Sequence, residues 1–187
     1  ADDWTPCWSP DGKQLAFASF REGNWEIHTI RADGSNVRRL TENDAADYSP
    51  AWSPDGESIA FVSNRDANLE IYVMRADGTE QVRFTNEAAT DQTPAWSPDG
   101  AFLAWESYRD GNMEILMARR DGSELRNVSQ DAYADDHGVT FAPSGRHIAF
   151  YSNRDKGWDL YILDLVTGER VNTTESTALE QAPHWGP

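Results

Sequence analysis

The chain repeats itself about every 44 residues, and that period constrains the fold more than any other feature of it. Trp8-Ser9-Pro10-Asp11-Gly12, Trp52-Ser53-Pro54-Asp55-Gly56 and Trp96-Ser97-Pro98-Asp99-Gly100 are spaced by 44 positions. Phe141-Ala142-Pro143-Ser144-Gly145 follows after 45 more, and a truncated copy, Trp185-Gly186-Pro187, after another 44. A period in the forties marks an array of supersecondary units, each too small to bury its apolar face alone.

Each repeat is punctuated three times. Ser53-Pro54-Asp55-Gly56 is a tight turn in which Pro presets φ and Gly accepts the backbone conformation that ends it. Arg65-Asp66-Ala67-Asn68 is a polar turn, matched by Arg21-Glu22-Gly23-Asn24, Arg109-Asp110-Gly111-Asn112 and Arg154-Asp155-Lys156-Gly157. Ala76-Asp77-Gly78-Thr79 is an Asp-Gly hairpin turn, matched by Asp33-Gly34, Asp121-Gly122 and Thr167-Gly168. Between the turns, Pro50 to Ser53 is extended and Ser58 to Ser63 is apolar and aromatic. Leu69 to Arg75 alternates with period two, and Gln81 to Thr85 is polar enough for an edge strand. Four short antiparallel strands per repeat, without a helical stretch, predict an all-β chain of β-propeller blades. A single propeller domain over 1–187 then holds four four-stranded antiparallel blades near 3–46, 47–90, 91–135 and 136–179, with a partial extra inner strand over 180–187. Trp8, Trp52, Trp96 and Phe141 are expected to form the structural core where blades stack.

Composition narrows the partners. The net charge is −16, which argues against nucleic acid or an anionic membrane surface and favours a partner with basic groups or a metal cation. Only Lys13 and Lys156 are lysines; excess acid with scarce lysine suits a salt-adapted surface and equally suits compositional drift. Cys7 is the single cysteine, so no intrachain disulfide forms, and it is expected in a small buried slot. No apolar run is long enough to span a bilayer, so membrane insertion is not expected. There is no signal peptide, and the chain starts at Ala1 without a methionine, as a mature, processed or excised piece would.

The pattern W-S-P-D-G, then I-A-F-x-S-x-R-D, then E-I-Y-x-M, then A-D-G, then L-T resembles the WD40-like repeat of TolB-type propellers and covers essentially the whole chain in four copies. The resemblance implies a periplasmic or secreted protein that binds proteins or peptides through the face and mouth of the propeller. TolB-type propellers normally have six blades and an α/β domain, whereas this chain has four repeats and no such domain, so partner specificity does not carry over.

Candidate chemistry is sparse. Each arginine of the middle turn precedes an acid on the next strand by five residues, as Arg21/Glu26, Arg65/Glu70, Arg109/Glu114 and Arg154/Asp159, which suggests an ion pair fixing the turn. Just before each core aromatic stand Asp3, Asp47, Asp91 and Asp136, followed by Glu180 in the partial copy. The first strand of a propeller blade lines the channel, so these carboxylates would converge at one mouth. Converging like charges recruit a cation, here a hard one such as Ca²⁺. Equally, each Asp caps its turn or bonds backbone amides, and both readings stay open. The next residues, Trp4, Tyr48, Gln92, His137 and Gln181, vary on a uniform scaffold, as a binding surface would. The expected partner surface is therefore Trp4, Asp47, Tyr48, Asp91, Gln92, Asp136 and His137.

Nothing in the sequence forms a catalytic constellation. It has no G-x-S-x-G elbow and no Cys/His zinc spacing, and its four histidines, His28, His137, His147 and His184, sit at non-equivalent repeat positions. The expectation is a non-enzymatic scaffold without a cofactor beyond a channel ion. The alternatives are a metal-assisted enzyme of the polyuronate lyase kind, to which Asp135-Asp136-His137 would contribute, and a propeller fragment with no activity of its own. The strand over Glu180–Trp185 is one inner strand more than four blades need. Propellers avoid raw edges by closing, so either four blades close on themselves and leave one terminal segment loose, or the surplus strand enters a second copy, making a homodimer that is one larger ring; the second is the expectation.

Overall fold

The computed structural model describes residues 1–155, 157–174, 183 and 185. Among them there is no helix, and the strands fall where the turn signals bound them. In chain order they are β1 (Asp3–Trp8), β2 (Gln14–Ser19), β3 (Glu26–Arg31), β4 (Arg38–Arg39), β5 (Asp47–Trp52), β6 (Ser58–Ser63), β7 (Glu70–Arg75) and β8 (Val82–Arg83). The second half continues with β9 (Asp91–Trp96), β10 (Phe102–Ser107), β11 (Glu114–Arg119), β12 (Arg126–Asn127), β13 (Asp136–Phe141), β14 (His147–Ser152), β15 (Asp159–Asp164) and β16 (Arg170–Asn172). Each repeat makes one four-stranded sheet with its strands in sequence order, and every neighbouring pair described is antiparallel. These are the four expected propeller blades. The fourth strand of each is only two or three residues long, which leaves little edge for another chain to pair with.

The tight turns form for the reason their residues suggest. The Gly56 N–H donates to the Ser53 carbonyl at 2.9 Å, and the Ser53 hydroxyl accepts the Ser58 N–H at 2.9 Å. Gly78 answers a tertiary demand as well: it has φ +88°, and a Cβ there would lie 2.8 Å from the Leu40 carbonyl oxygen. The hairpin turn of the second sheet rests directly on the backbone of the first.

The chain divides into two compact units, Ala1–Pro94 and Ala95–Pro187, the boundary falling within β9. In the first unit, β5 packs across β1, β2 and β3. The rings and long side chains of Trp52, Ile59, Phe61, Tyr72 and Met74 meet the small ones of Ala16 and Ala18, with Ile27 and Leu40 at the margin. In the second unit, Val139, Phe141, Ile148, Phe150, Tyr161 and Leu163 meet Ala104, Ile115 and Met117. Large against small lets two twisted sheets approach without voids.

Of the four core aromatics expected, Trp52, Trp96 and Phe141 are buried, but Trp8 is 55% exposed. A ring at this position covers the sheet of the preceding repeat, as Trp52 covers the first sheet. Within Ala1–Pro94 no sheet lies before the first, so Trp8 has nothing to cover. Leu15 and Ile30 share its situation: they are half-buried where Ile59 and Met74 are fully buried. Cys7 is half-buried against the first core, and burial pushes its thiol pKa up, which makes it a poor nucleophile. The expected strand over Glu180–Trp185 lies mostly outside the described residues. Trp185 itself donates its Nε1–H to the Thr140 carbonyl at 3.3 Å.

The unequal burial gives a direct test. Trp52→Ala should destabilise the chain by about 3–5 kcal/mol, as large-to-small changes of a buried ring do. In the single chain, at concentrations too low for association, Trp8→Ala should cost about 0.5 kcal/mol or less, as exposed substitutions do. Urea denaturation followed by circular dichroism measures both, and equal losses would contradict the packing described.

Candidate functional site

Three features stand at the starts of the inner strands and present the variable residues. The first is a buried clasp. Asp47 and Asp136 are fully buried. Asp47 receives Arg65 Nη2 at 2.9 Å, and Asp136 receives Arg154 Nη2 at 2.7 and 2.8 Å. The same arginines donate Nε–H to Ser63 and Ser152 at 2.8 and 2.9 Å. Their guanidinium planes lie over rings, Arg65 at 4.5 Å from the Tyr72 centroid and Arg154 at 4.9 Å from that of Tyr161. In the first repeat the clasp is open to solvent: Arg21 reaches Asp3 at 3.3 Å, and the Asp3 carboxyl is 48% exposed.

This corrects the pairing expected from sequence. The turn arginine does not hold the acid five residues on. Period two places Ser63 and Arg65 on one face of the hairpin, so the guanidinium passes over Ser63 toward the inner strand. The third-strand acids instead collect fourth-strand partners, Glu26 with Arg39 at 2.7 Å and Glu70 with Arg83 at 2.6 Å. The described Asp–Arg pairs are each electrically neutral. Among the described residues, no three His, Cys, Asp or Glu side chains gather closely enough to hold a metal. Asp47, Asp91 and Asp136 were expected on a partner-contacting surface. All three are fully buried, so they hold the strand and do not reach a partner.

The second feature is a β-bulge. The register of β5 against β6 jumps between Tyr48 and Ala51, and the same jump occurs at Trp4/Cys7 and His137/Thr140. The residue after each variable position is left-handed: Thr5, Ser49, Thr93 and Gly138 have φ of 48°, 51°, 50° and 67°. Left-handed Thr is a strained conformation, and a bulge re-aims the side chains beside it. Nothing in the sequence signalled it, because Ser and Thr are not residues that announce a left-handed turn.

The third feature is what the re-aimed residues meet. Trp4 lies tilted at 31° against Trp25 with centroids 4.7 Å apart, and Phe20 meets Trp25 edge-on at 5.5 Å. Trp4 is 61% and Phe20 44% exposed. Tyr48 is half-buried against the core of its unit, and Gln92 is half-buried. In the second unit His137 stacks on Tyr151 at 5.4 Å, and both rings touch Trp158 at 5.5 Å. His137 Nδ1 lies 2.9 Å from Glu106 Oε2, while the other oxygen of Glu106 accepts the Gly138 N–H at 2.8 Å. Gly138 is required here, since a Cβ would stand 2.5 Å from the Tyr151 ring. Burial works against charge on the His137 ring, but Glu106, with Asp135 and Asp136, outweighs it and holds the pKa above 6.5.

Phe20, Trp25, Glu106, Tyr151 and Trp158 were missed by the sequence reading. Their signal lay in two further variable repeat positions: Trp25, Leu69, Met113 and Trp158 before the third-strand acid, and Ala18, Val62, Glu106 and Tyr151 before the serine that ends the second strand. Glu106 is an acid inside an otherwise apolar strand, which is uncommon without a partner.

Four-stranded antiparallel blades in tandem define a β-propeller protein. The chain belongs to the TolB β-propeller domain family, whose model matches residues 2–187. It is similar to a putative TolB from Agrobacterium tumefaciens at 30% identity, with a TM-score of 0.79 over 88% of this chain and 62% of that one. It is also similar to TolB from Acinetobacter baumannii at 23% identity, with a TM-score of 0.77 over 90% of this chain and 42% of that one. A puromycin-hydrolyzing peptidase from Mycobacterium tuberculosis shares the fold at 16% identity and a TM-score of 0.74, over 92% of this chain and 28% of that one. The chain thus spans less than two thirds of the length of either TolB protein.

The third-strand acids give a pH test. Burial pushes Glu26 upward, but the Asn43 N–H, the Thr41 hydroxyl, Arg39 and Asn24 outweigh it, and its pKa falls below the usual value. In Glu114 burial prevails over Ser129, the Asp131 N–H and Asn112, and the pKa rises. Asn127 stands where Arg39 and Arg83 stand in the earlier repeats. The signs are opposite. Glu26 contributes stability above an unfolded pKa of about 4.3 that is lost as pH falls through its folded value. Glu114 favours the fold when protonated, and that contribution is lost as pH rises through its raised folded value. Carboxyl carbon NMR should find Glu26 titrating below Glu114, and Asn127→Arg should bring Glu114 down. The reverse order would contradict the assignment.

Proposed function

We propose that the chain is a non-enzymatic scaffold that binds a protein or an extended peptide in the periplasm or outside the cell. The observation that carries this is the exposed aromatic group of Trp4, Phe20 and Trp25 beside an inner strand. Soluble proteins seldom leave large rings clustered in water, and buried rings dominate the energy of protein interfaces. Trp4, Tyr48, Gln92 and His137 are the contact positions, one per repeat, set on a frame that does not vary. A net charge of −16 selects for a partner with basic groups and speeds its approach. Periplasmic or secreted placement follows the family. Among the described residues no helix is long and apolar enough to cross a membrane.

The proposal includes a homodimer. The face of the first sheet that carries Trp8, Leu15 and Ile30 matches the face that the second sheet buries with Trp52, Ile59 and Met74. A sheet from a second copy would cover it in the same way. Light scattering should give about twice the mass of one chain, and Trp8→Asp should return it to the monomer. A mass of one chain, unchanged by concentration, contradicts the dimer.

A displayed library of random peptides, selected on the 187-residue chain, tests the binding role. Selected peptides should lose about tenfold or more in affinity on Trp4→Ala or Phe20→Ala, both exposed enough to leave the fold intact. Binding untouched by either change, or cleavage of the peptides, contradicts the reading.

A further inference from the structure

The His137 group differs from its counterparts in the other repeats. Where the second repeat has Tyr48, Val62 and Leu69, the fourth has His137, Tyr151 and Trp158, and β10 supplies Glu106 beneath them. From this geometry we propose a subsite for an arginine side chain at His137, in which the guanidinium lies on the Tyr151 and Trp158 rings and donates a hydrogen bond to His137 Nε2. The proposal rests on the peptide-binding reading above and names one residue that such a peptide carries.

Three observations support it. First, the imidazole is held in one orientation. With Nδ1–H donating to Glu106, the neutral ring leaves Nε2 as an acceptor, and a carboxylate behind the ring strengthens that acceptor. The His137 side chain is 23% exposed, so the ring is within reach of a ligand. Second, the surroundings favour a cation. Glu106 from β10 and Asp135 on the same segment lie near the ring, Tyr151 packs against it from β14, and Arg154 is drawn away into its neutral pair with Asp136. Third, the half-buried Tyr151 and Trp158 present aromatic faces. Arginine, planar and weakly hydrated, stacks on such faces better than lysine does. The platform has a backbone requirement too, because only glycine at 138 lets Tyr151 lie where it does.

Two short peptides decide the matter: acetyl-Ala-Arg-Ala-amide, and the same peptide with citrulline, which keeps the planar shape but replaces one amino group by a carbonyl oxygen and has no charge. Binding to the intact chain is followed by NMR of the His137 ring and the Trp158 indole at about pH 9, above the ordinary imidazole range. The expected result is saturable shifts at both residues with the arginine peptide, and an affinity about tenfold lower with citrulline, with His137→Gln and with Trp158→Leu. Glu106→Gln, which preserves size, should also weaken binding. Each variant is confirmed folded by its thermal transition. Three results would overturn the subsite: equal binding of the two peptides, binding undiminished in the His137 and Trp158 variants, or no shift at His137 up to about 10 mM, where even weak fragments bind. Library peptides that still depend on Trp4 would then show the binding role to stand without it.

Discussion

An arginine set on a buried aspartate holds the inner strand in the second and fourth blades of this protein. Taking a guanidinium and a carboxylate out of water costs several kcal/mol per ion, and the cost is offset only when every neighbouring group is satisfied. Arg154 offsets most of that cost with two contacts to Asp136, one to Ser152 and two ring faces, while its Nη1 is left with only the Asp131 carboxylate at 3.7 Å. Asp, Ser, Arg and an aromatic ring therefore recur as a set, because losing any one leaves a buried charge without its compensation. The first repeat shows the looser form: Asp3 stands half in water, and the same contact contributes little there.

The fold was legible in the sequence because its signals were local and repeated. Three turns per repeat, each carried by Gly, Pro or Asp, bounded the strands, and the apolar pattern between them had period two. What was not legible involved contacts between strands. Arg65 was paired with the acid nearest in sequence, whereas its guanidinium crosses to Asp47 over Ser63, a choice made by strand face and not by separation. Trp8 was counted with the core because a repeat implies equivalence, yet burial depends on a neighbour that the motif does not contain. The bulge was invisible because it uses Thr5, Ser49 and Thr93, residues that ordinarily avoid the left-handed region.

The candidate site was half legible. Trp4, Tyr48, Gln92 and His137 stood out as variation against a constant background, but the partners that give them chemical character did not. Glu106 lies 31 residues before His137, and no spacing rule connects them. Trp25 and Trp158 passed for ordinary strand residues until their rings were seen beside the variable position. The frame was read from what repeats, and the surface must be read from what does not.

The bulge has a consequence for how such a chain tolerates its own redundancy. A plain strand can slide along its neighbour by two residues and still present the same face. A strand with one residue fixed in the left-handed region has a single setting, since any slip would force that residue against a regular ladder. The three inner strands with described pairing share the same jump in register, so a strand from the first repeat has the setting that the second needs, and each has the setting of its own repeat in another copy of the chain. The fourth repeat is keyed further, because Tyr151 admits only a glycine at 138. An exchange of strands between molecules, which in most sheets would be a misfolding event, would here reproduce native pairing.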